Sequence, residues 1–413
     1  MENVYLGRQP IVDSNSSICA YEILYRDKNK KSNTGDDRHA SASVINSILN
    51  VFGTKSLLGE YKAFIQIDDK FLMHDIVFTI PKEFFIFSLI SKIEMTEKVV
   101  ERVQQLHAKG YELCINDIDL RNVGKYKSVL KELSYIKIDF EFEMPANAKE
   151  LIEKIKSYGI KIIATKIETT KIYELAKSLG CDWFEGYFFA EPKIVENAVY
   201  EPSQFHILKL YNLLLQDVNI DEITKEFEDN HEVTVKLLRF INSGAFHFRQ
   251  RLSSIHHILV LVGRVPLAQW LMLMIYSKSV SKDETKSPLM LMVKYRTELM
   301  QNILKVVDPT AGSNMLGEAY FVGVLSLIDT VFGVKLETIL DDMNISDDVK
   351  NAILFDEGIL GEIFSLVRDI EAFDTQAISE FEERYFLHDN VIKNIVLQGI
   401  KDVNSFENPS LSS

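Results

Sequence analysis

The stretch YEILYR, residues 21–26, decides the fold of the first half of the chain. It places Glu22 and Arg26 after an apolar turn of chain, and polar residues follow further apolar runs downstream. The intervals between these polar residues are roughly 20 to 45 residues, about the length of one strand and one helix. Such spacing predicts a barrel whose strands end at one mouth, with the polar residues placed there as a site.

The downstream runs are short, rich in Ile, Phe and Tyr, and either alternating or apolar, which favours buried strands. They are FIQID (64–68), KIEMTE (92–97), CINDID (114–119), YIKIDF (135–140), IIATKIET (162–169) and DWFEGYFF (182–189). Amphipathic stretches alternate with them, among which residues 96–110 and 146–159 end in glycine. This alternation predicts βα units and an α/β barrel.

From about residue 201 the strand pattern is replaced by apolar residues at spacings of three and four, which predicts an all-α region. The expected helices fall at 203–216, 231–243, 288–307, 318–333 and 346–354. Ser346 is placed to cap the last of them. We therefore predict a barrel domain over 1–195, a helical domain over 196–405 and a flexible tail over 406–413.

Composition excludes several classes of protein. The formal charge is −14, from 46 basic and 60 acidic residues, which disfavours binding to a nucleic acid polymer or to anionic lipid. The N-terminus has no signal-peptide pattern, and the apolar stretch 258–276 is interrupted by Arg264, Pro266 and Gln269, so no membrane insertion is expected.

Three cysteines, at positions 19, 114 and 181, have no metal-ligand spacing. They suit free, mostly buried thiols and a cytoplasmic location.

The order of the motifs resembles a known family. RQPIV (8–12), YEILYR, KIEMTE, CINDID, YIKIDF, IIATKIET and GCDWFEGYFF (180–189) follow the order of EAL domains, cyclic di-GMP phosphodiesterases with a modified TIM barrel. INSGAFHF (241–248), SSIHHILVLVG (253–263) and FVGVLSLIDTVFG (321–333) resemble the HDOD domain, a metal-free relative of HD phosphohydrolases. The whole chain is similar to bacterial EAL–HDOD signalling proteins.

The resemblance implies a site, and this sequence keeps only part of it. The implied metal ligands correspond to five positions, of which Gln66 and Asn116 replace an asparagine and an aspartate: Glu22, Gln66, Glu94, Asn116 and Asp117. Gln9 and Arg26 are the implied ligand-binding residues, and Glu185 stands where the family has a glutamine.

Further along, Lys137 and Glu168 are kept as vestigial catalytic residues, but Thr165 replaces a glutamate and Lys166 a glycine. Two-metal phosphodiester hydrolysis depends on several carboxylates that hold hard cations close together. Asn116 and Thr165 remove two of those charges, so we expect a barrel without catalytic activity.

Taken singly, several of these residues have simpler interpretations. Glu22 and Arg26 are spaced as a surface ion pair, and Lys137 with Asp139 as solubilising charges at a strand end. Glu168 is equally well placed to cap the next helix, and Glu185 reads as a neutral replacement and not as a new acid.

The helical half offers no metal site of the HD type. An HD-type site needs an adjacent His-Asp pair, and the two such pairs, at 74–75 in the barrel half and at 388–389 near the C-terminus, lack the required context. His256 and His257 are neighbours on a predicted helix and point in different directions, so we do not expect them to chelate a metal ion.

We expect a non-catalytic signalling scaffold or sensor that acts through other signalling proteins. Weak cyclic di-GMP binding, one weakly bound Mg²⁺ or Ca²⁺ ion and a homodimer stay open, and no cofactor is required. The alternative is a slow cyclic di-GMP phosphodiesterase with an altered metal site.

Overall fold

The computed structural model of the protein describes most of the first half of the chain and a smaller share of the second. The described residues are 4–27, 45, 48, 54–141, 145–190, 202–215, 218–229, 233–234, 237, 255–264, 267–268, 271–272, 274, 287–332, 334–342, 345–388 and 390–407. Some side chains within these ranges also lie outside the description, that of Arg26 among them.

The first half forms a closed barrel of eight strands, which confirms the predicted α/β barrel. β1 (Val4–Asp13) and β2 (Ile18–Asp27) are an antiparallel pair, with Gln9 opposite Glu22. The remaining strands run parallel to β2 in chain order: β3 (Lys62–Ile67), β4 (Phe85–Leu89), β5 (Leu113–Ile115), β6 (Tyr135–Asp139), β7 (Lys161–Thr165) and β8 (Trp183–Glu185). β8 pairs antiparallel with β1 and closes the barrel.

Helices and short 3₁₀ turns connect the parallel strands. The helices are α1 (Thr54–Leu58), α2 (Asp69–Met73), α3 (Glu97–Ala108), α4 (Pro145–Lys156) and α5 (Thr170–Leu179), and the 3₁₀ turns lie at Asp75–Thr79, Val123–Tyr126, Leu130–Glu132 and Phe188–Ala190. The helix α3 shows how the sequence determines where a helix begins and which face it buries. Thr96 caps its first turn by accepting a hydrogen bond from the N–H of Val99, and Val99, Val103 and Leu106 bury one face.

The second half is helical wherever the described residues form regular structure, as predicted. Its helices are α6 (Pro202–Leu215), α7 (Ile220–Asp229), α8 (Ile255–Val262), α9 (Pro288–Val307), α10 (Ser313–Leu325), α11 (Ile328–Phe332), α12 (Leu336–Asp342), α13 (Asp347–Phe355), α14 (Gly358–Glu371), α15 (Thr375–Arg384) and α16 (Val391–Glu407). Ser346 caps α13 through the N–H of Val349, as expected. Most of the helix predicted at 231–243 lies outside the described residues.

The chain divides into two compact units. The barrel unit comprises 1–191, 286–288 and 369–413, and the helical unit comprises 192–285 and 289–368. The division differs from the predicted one because the C-terminal segment 369–407 packs with the barrel. Of the tail predicted at 406–413, residues 408–413 lie outside the described part.

Specific contacts join α16 to the barrel. The Arg8 guanidinium donates hydrogen bonds to Asn404 Oδ1 at 2.7 Å and to the Leu57 carbonyl at 2.6 Å. The Tyr61 hydroxyl donates to Glu407 Oε1 at 2.6 Å. The reason for this packing is visible in α16 itself, whose buried residues at 392, 396, 400 and 403 form one apolar face.

Within the described ranges, no helix combines the length and apolarity needed to cross a membrane. All three cysteines are free, and Cys114 and Cys181 are buried, as predicted.

Candidate functional site at the barrel mouth

The interior of the barrel begins with a layer of apolar side chains, here called the apolar layer. Each strand contributes one residue: Ile11, Ala20, Phe64, Ile86, Cys114, Tyr135, Ile163 and Trp183. The aromatic members contact one another, with the Phe64 ring 5.2 Å from that of Tyr135. Trp183 is partly buried and packs against this layer, so it contributes to the core.

A second layer, here called the polar layer, lies two residues nearer the mouth on every strand. Since side chains alternate along a strand, these residues face the same interior as the apolar layer. The members are Gln9, Glu22, Gln66, Ser88, Asn116, Lys137, Thr165 and Glu185. Seven of these eight positions were selected from the sequence, so alternation within the strands brings most of the implied site together.

Lys137 connects the polar layer. Its ammonium nitrogen lies 2.7 Å from Glu22 Oε2 and 2.7 Å from Glu185 Oε2. The Phe64 ring lies beneath it, with its centre 5.0 Å from the nitrogen. Lys137 and Glu22 are 4% and 3% exposed, so neither is a solubilising surface charge. Glu185 is an ion-pair partner of Lys137 here.

The environment shifts both ends of this ion pair. Burial raises the pKa of the Glu22 carboxyl to about 7, because desolvation and the Glu185 carboxylate together outweigh the Lys137 ammonium. Burial by itself would lower the pKa of Lys137, but the Glu185 and Glu22 carboxylates raise it. Lys137 is therefore charged at neutral pH, and two carboxylates share its single positive charge.

Asn116 and Thr165 stand where the resemblance implies carboxylates, and the structure shows what each of them contacts. Asn116 is buried and its backbone N–H donates to the Leu89 carbonyl at 3.1 Å. The Thr165 hydroxyl donates to the Ile138 carbonyl of the neighbouring strand at 3.2 Å. Thr165 therefore bonds to the backbone of the barrel wall, where a carboxylate would have added charge.

A second lysine lies at the ends of β6 and β7. Lys166 Nζ is 2.9 Å from Asp139 Oδ2 and 2.9 Å from Glu141 Oε2. Lys166 has a φ of 57°, in the left-handed region that favours glycine. The backbone has thus kept the conformation suited to the glycine that the resemblance implies, while the side chain adds a cation.

Asp117 follows β5 with a φ of 53° and is exposed. Partial desolvation by the surrounding protein and the Asp139 carboxylate raise the pKa of its carboxyl, and Lys166 and Lys137 oppose the shift. The two lysine clusters and Asp117 therefore act on one another electrostatically.

The other residues predicted for the site differ in how well the structure places them. Glu94 is exposed in the segment between β4 and α3, and Glu168 is exposed in the segment between β7 and α5. Glu168 does not cap α5, because Thr169 does so by accepting a hydrogen bond from the N–H of Ile172. Gln9 is half-buried in register with Glu22, and the Arg26 side chain lies outside the described residues.

The residues present do not fit a two-metal centre. In the described part of the chain, no three carboxylate, thiol or imidazole side chains approach closely enough to hold a metal ion. The carboxylate of Glu22 contacts an ammonium, and its neighbours Gln66 and Asn116 are amides that supply no charge.

Sequence reasoning missed two members of the site. Ser88 is fully buried in β4 and falls two residues after Ile86, so strand alternation was the signal that pointed to it. Glu141 lies just beyond β6, and no strand pattern reaches it.

The histidines of the described residues form no cluster. His74 caps a 3₁₀ turn, as its ring nitrogen accepts the N–H of Ile76 at 3.1 Å. His256 is exposed, 3.8 Å from Asp221. These contacts are those of ordinary surface residues.

Comparison with known families assigns both halves. The EAL domain model matches residues 61–192, and the HDOD domain model matches residues 205–333. The EAL match begins after β2, but β1 and β2 complete the same barrel.

Two relatives align along most of the chain. YuxH of Bacillus subtilis, an uncharacterized protein, is 26% identical over 385 residues, covering 91% of this chain and 93% of YuxH. Cyclic di-GMP phosphodiesterase CdgJ of Vibrio cholerae is 24% identical over 386 residues, covering 92% of this chain and 88% of CdgJ.

Solved structures of EAL proteins are also similar. EAL enzyme Bd1971, in its cAMP- and cyclic-di-GMP-bound form, is 18% identical over 46% of this chain and 62% of its own, with a TM-score of 0.36. An EAL domain protein of Listeria monocytogenes gives 18% identity and a TM-score of 0.33, covering 45% of this chain and 87% of its own. These TM-scores are too low to transfer the geometry of a site. With both family models matched in order and a closed eight-stranded barrel followed by helices, the chain is an EAL–HDOD signalling protein.

Proposed function

We propose that this chain is a non-catalytic signalling protein of the cytoplasm, in which the barrel no longer hydrolyses cyclic di-GMP and the output is contact with other signalling proteins. The observation that carries the proposal is the presence of Asn116 and Thr165 in the polar layer, where the family pattern has carboxylates. A neutral amide and a hydroxyl therefore replace two of the negative charges that would hold divalent cations at the barrel mouth.

The chemistry of phosphodiester cleavage gives this observation its weight. A pair of divalent ions activates water and stabilises the charge that develops on the phosphate. With Asn116 and Thr165 in place of carboxylates, the second ion loses its ligands. The missing transition-state stabilisation is several kcal/mol, on the order of a thousand-fold or more in rate.

Turnover of cyclic di-GMP by the purified full-length protein is the test. We expect no product above background with Mg²⁺ or Mn²⁺. The matched variant Glu22→Ala should give the same background rate. Product formation by the wild type that disappears in Glu22→Ala would overturn the proposal and establish the alternative.

That alternative, a slow phosphodiesterase, is favoured by the retained Glu22 and Lys137 and by the relative named as a phosphodiesterase. The combined change Asn116→Asp, Thr165→Glu and Gln66→Asn separates the two proposals. If the site is vestigial, the three changes together should raise activity more than the sum of the single changes, because the ions are bound jointly.

Binding of the nucleotide is a separate question. We propose that cyclic di-GMP binds weakly or not at all, since the carboxylates that would hold an assisting ion are reduced in number. Calorimetry with the wild type and Arg26→Ala tests this. A tight affinity that depends on Arg26 would make the protein a receptor, and its partners would then be sought by pull-down with and without cyclic di-GMP.

A further inference from the structure

We propose that the turn between α14 and α15 is a lid on the barrel mouth, and that a ligand reaches the mouth only when this turn moves away. The turn comprises residues 371–374 and is here called the mouth turn. It belongs to the same compact unit as the barrel, although the helical unit separates the two along the chain. Such a lid limits access to the site whether or not the barrel is catalytic.

The first contact of the mouth turn is between Phe373 and Gly7 of β1. Gly7 lies two residues from Gln9 and pairs with Leu24. Since side chains alternate along a strand, Gly7 lies on the same face of the β1–β2 pair as Gln9 and Glu22 of the polar layer. A methyl group at Gly7 would come within 2.8 Å of Phe373 Cε2, closer than two carbon atoms pack in proteins. The ring therefore rests on the glycine backbone itself.

The second contact comes from the chain just beyond β8. The Tyr187 hydroxyl donates a hydrogen bond to the Glu371 carbonyl at 3.1 Å. Tyr187 lies two residues beyond Glu185 of the polar layer, at the end of β8 that forms the mouth. Because Glu185 pairs with Ile11 of β1, the two contacts of the mouth turn come from adjacent strands at the same end of the barrel.

The backbone of the mouth turn is strained. The N–H of Phe373 donates to the Ile370 carbonyl at 3.1 Å. The N–H of Asp374 donates to the Asp369 carbonyl at 2.8 Å, which completes the Schellman ending of a helix. Glycine is the usual residue at the left-handed position of this motif, but here Phe373 occupies it with a φ of 59°. Packing of the ring on Gly7 offsets this strain, and a contact that carries strain is well suited to open.

The end of α15 supplies a matched control. Phe386 has a φ of 52°, and its N–H donates to the Glu383 carbonyl at 3.2 Å, so its backbone repeats the conformation of Phe373. The Phe386 side chain, however, is 92% exposed. Phe386→Gly therefore relieves the same kind of strain without removing a buried contact, whereas Phe373→Gly also removes the ring from the mouth.

The experiment measures access to the mouth through a cysteine in place of Gln9 in the full-length chain. Gln9→Cys is studied alone and combined with Phe373→Gly, Gly7→Ala, Tyr187→Phe or Phe386→Gly. The rate of its reaction with the thiol reagent DTNB is followed by absorbance under native conditions, with no nucleotide present. The chain without Gln9→Cys gives the background rate of the three native cysteines.

The lid predicts an order of rates. Gln9→Cys alone should react slowly, and Phe373→Gly or Gly7→Ala should raise the rate about tenfold, because either change takes the ring from its place against β1. Tyr187→Phe should raise the rate about fivefold by removing one hydrogen bond, and it keeps the test usable if the other two variants do not fold. Phe386→Gly should leave the rate unchanged.

Added urea separates opening of the lid from unfolding of the barrel. Movement of the mouth turn exposes little surface, so the rates of the accelerated variants should depend weakly on urea below the unfolding transition. A steep dependence would assign the acceleration to global unfolding and overturn the inference.

Two further results would contradict the lid. One is an equal rate for Gln9→Cys with and without Phe373→Gly, and the other is an equal acceleration by Phe386→Gly. Hydrolysis of cyclic di-GMP by the wild type would remove the proposed function, but it would not change the order of these rates, so the two failures are distinguishable.

Discussion

The apolar layer and the polar layer of the barrel interior lie two residues apart on the same strands, yet they obey different constraints. In the apolar layer, Phe64, Tyr135 and Trp183 contribute contact area that depends little on pH. In the polar layer, Glu22, Lys137 and Glu185 are held by charges that must balance. One scaffold therefore presents a layer that stabilises the fold and a layer that is free to change chemistry as long as its charges are compensated.

The largest expected effect lies in the apolar layer. Phe64 is fully buried and supports both the neighbouring rings and the Lys137 ammonium. Phe64→Ala should lower the free energy of unfolding by about 4 kcal/mol, measured by urea denaturation, at pH 5 and pH 8 alike. Phe355→Ala, which truncates a phenylalanine that is 63% exposed, should change it by less than about 0.5 kcal/mol. A small loss at Phe64 would mean that the apolar layer does not carry the stability of the barrel.

In the polar layer, Lys137→Met should lower the free energy of unfolding nearly as much, but only at a pH at which Glu22 is charged. It leaves Glu22 and Glu185 without their shared cation, at a cost of about 3 kcal/mol at pH 8 in EDTA. At pH 5 the Glu22 carboxyl, whose pKa burial raises to about 7, is protonated, which should reduce the loss to roughly half. Urea denaturation at both pH values measures it. A loss independent of pH would indicate that Lys137 contributes packing and not charge.

Glu22→Gln should raise the free energy of unfolding at high pH, whereas Lys137→Met should lower it. Because the folded-state pKa of Glu22 is raised to about 7 above an ordinary value of 4.5, its contribution to stability is fully present below pH 4.5 and is lost as the pH rises through 7. The difference in unfolding free energy between wild type and Glu22→Gln should therefore change by at most about 3 kcal/mol between pH 4 and pH 8, in favour of the variant at pH 8.

The control for this profile is Glu94→Gln, which changes an exposed carboxylate outside the polar layer. Its difference from the wild type should be flat over the same range. If Glu22→Gln is also flat, the two carboxylates do not compete for Lys137, and the contrast between the layers is smaller than we propose.

The smallest effect is expected at Thr165, the polar-layer residue that bonds to the barrel wall. Thr165→Val removes the hydrogen bond to the Ile138 carbonyl and should cost about 1 kcal/mol, with no dependence on pH. Thr165→Ser keeps the hydroxyl and should recover most of the bonding contribution. If Thr165→Val leaves the free energy of unfolding unchanged, the hydrogen bond to Ile138 does not stabilise the barrel, and the role of Thr165 lies in the site.

Much of this arrangement was predictable from the sequence, because a strand has only two faces. Once the runs around Glu22, Gln66, Asn116 and Lys137 are recognised as strands that end at one mouth, alternation fixes which residues share the interior. The same rule fails beyond the strand ends. Glu94 and Glu168 belong to connecting segments whose path depends on packing, so their motif positions did not place them in the polar layer.

The C-terminal segment is the clearest case in which a local pattern was insufficient. The apolar residues of α16 repeat with helical periodicity, but periodicity does not indicate which surface covers that face. The bonds of Arg8 to Asn404 and of Tyr61 to Glu407 join residues about 350 to 400 positions apart, and no local signal specifies such pairs.

The sequence by itself determined the barrel and the helical half, because periodicity is a local property, and its resemblance to EAL domains indicated which residues form the site and which two stand where that family has carboxylates. Only the tertiary structure decided that Glu185 is a partner of Lys137, that Lys166 neutralises Asp139 and that the chain returns to the barrel through α16. The physical reason is that charge compensation and burial depend on distances across the barrel, and those distances exist only after the strands have closed.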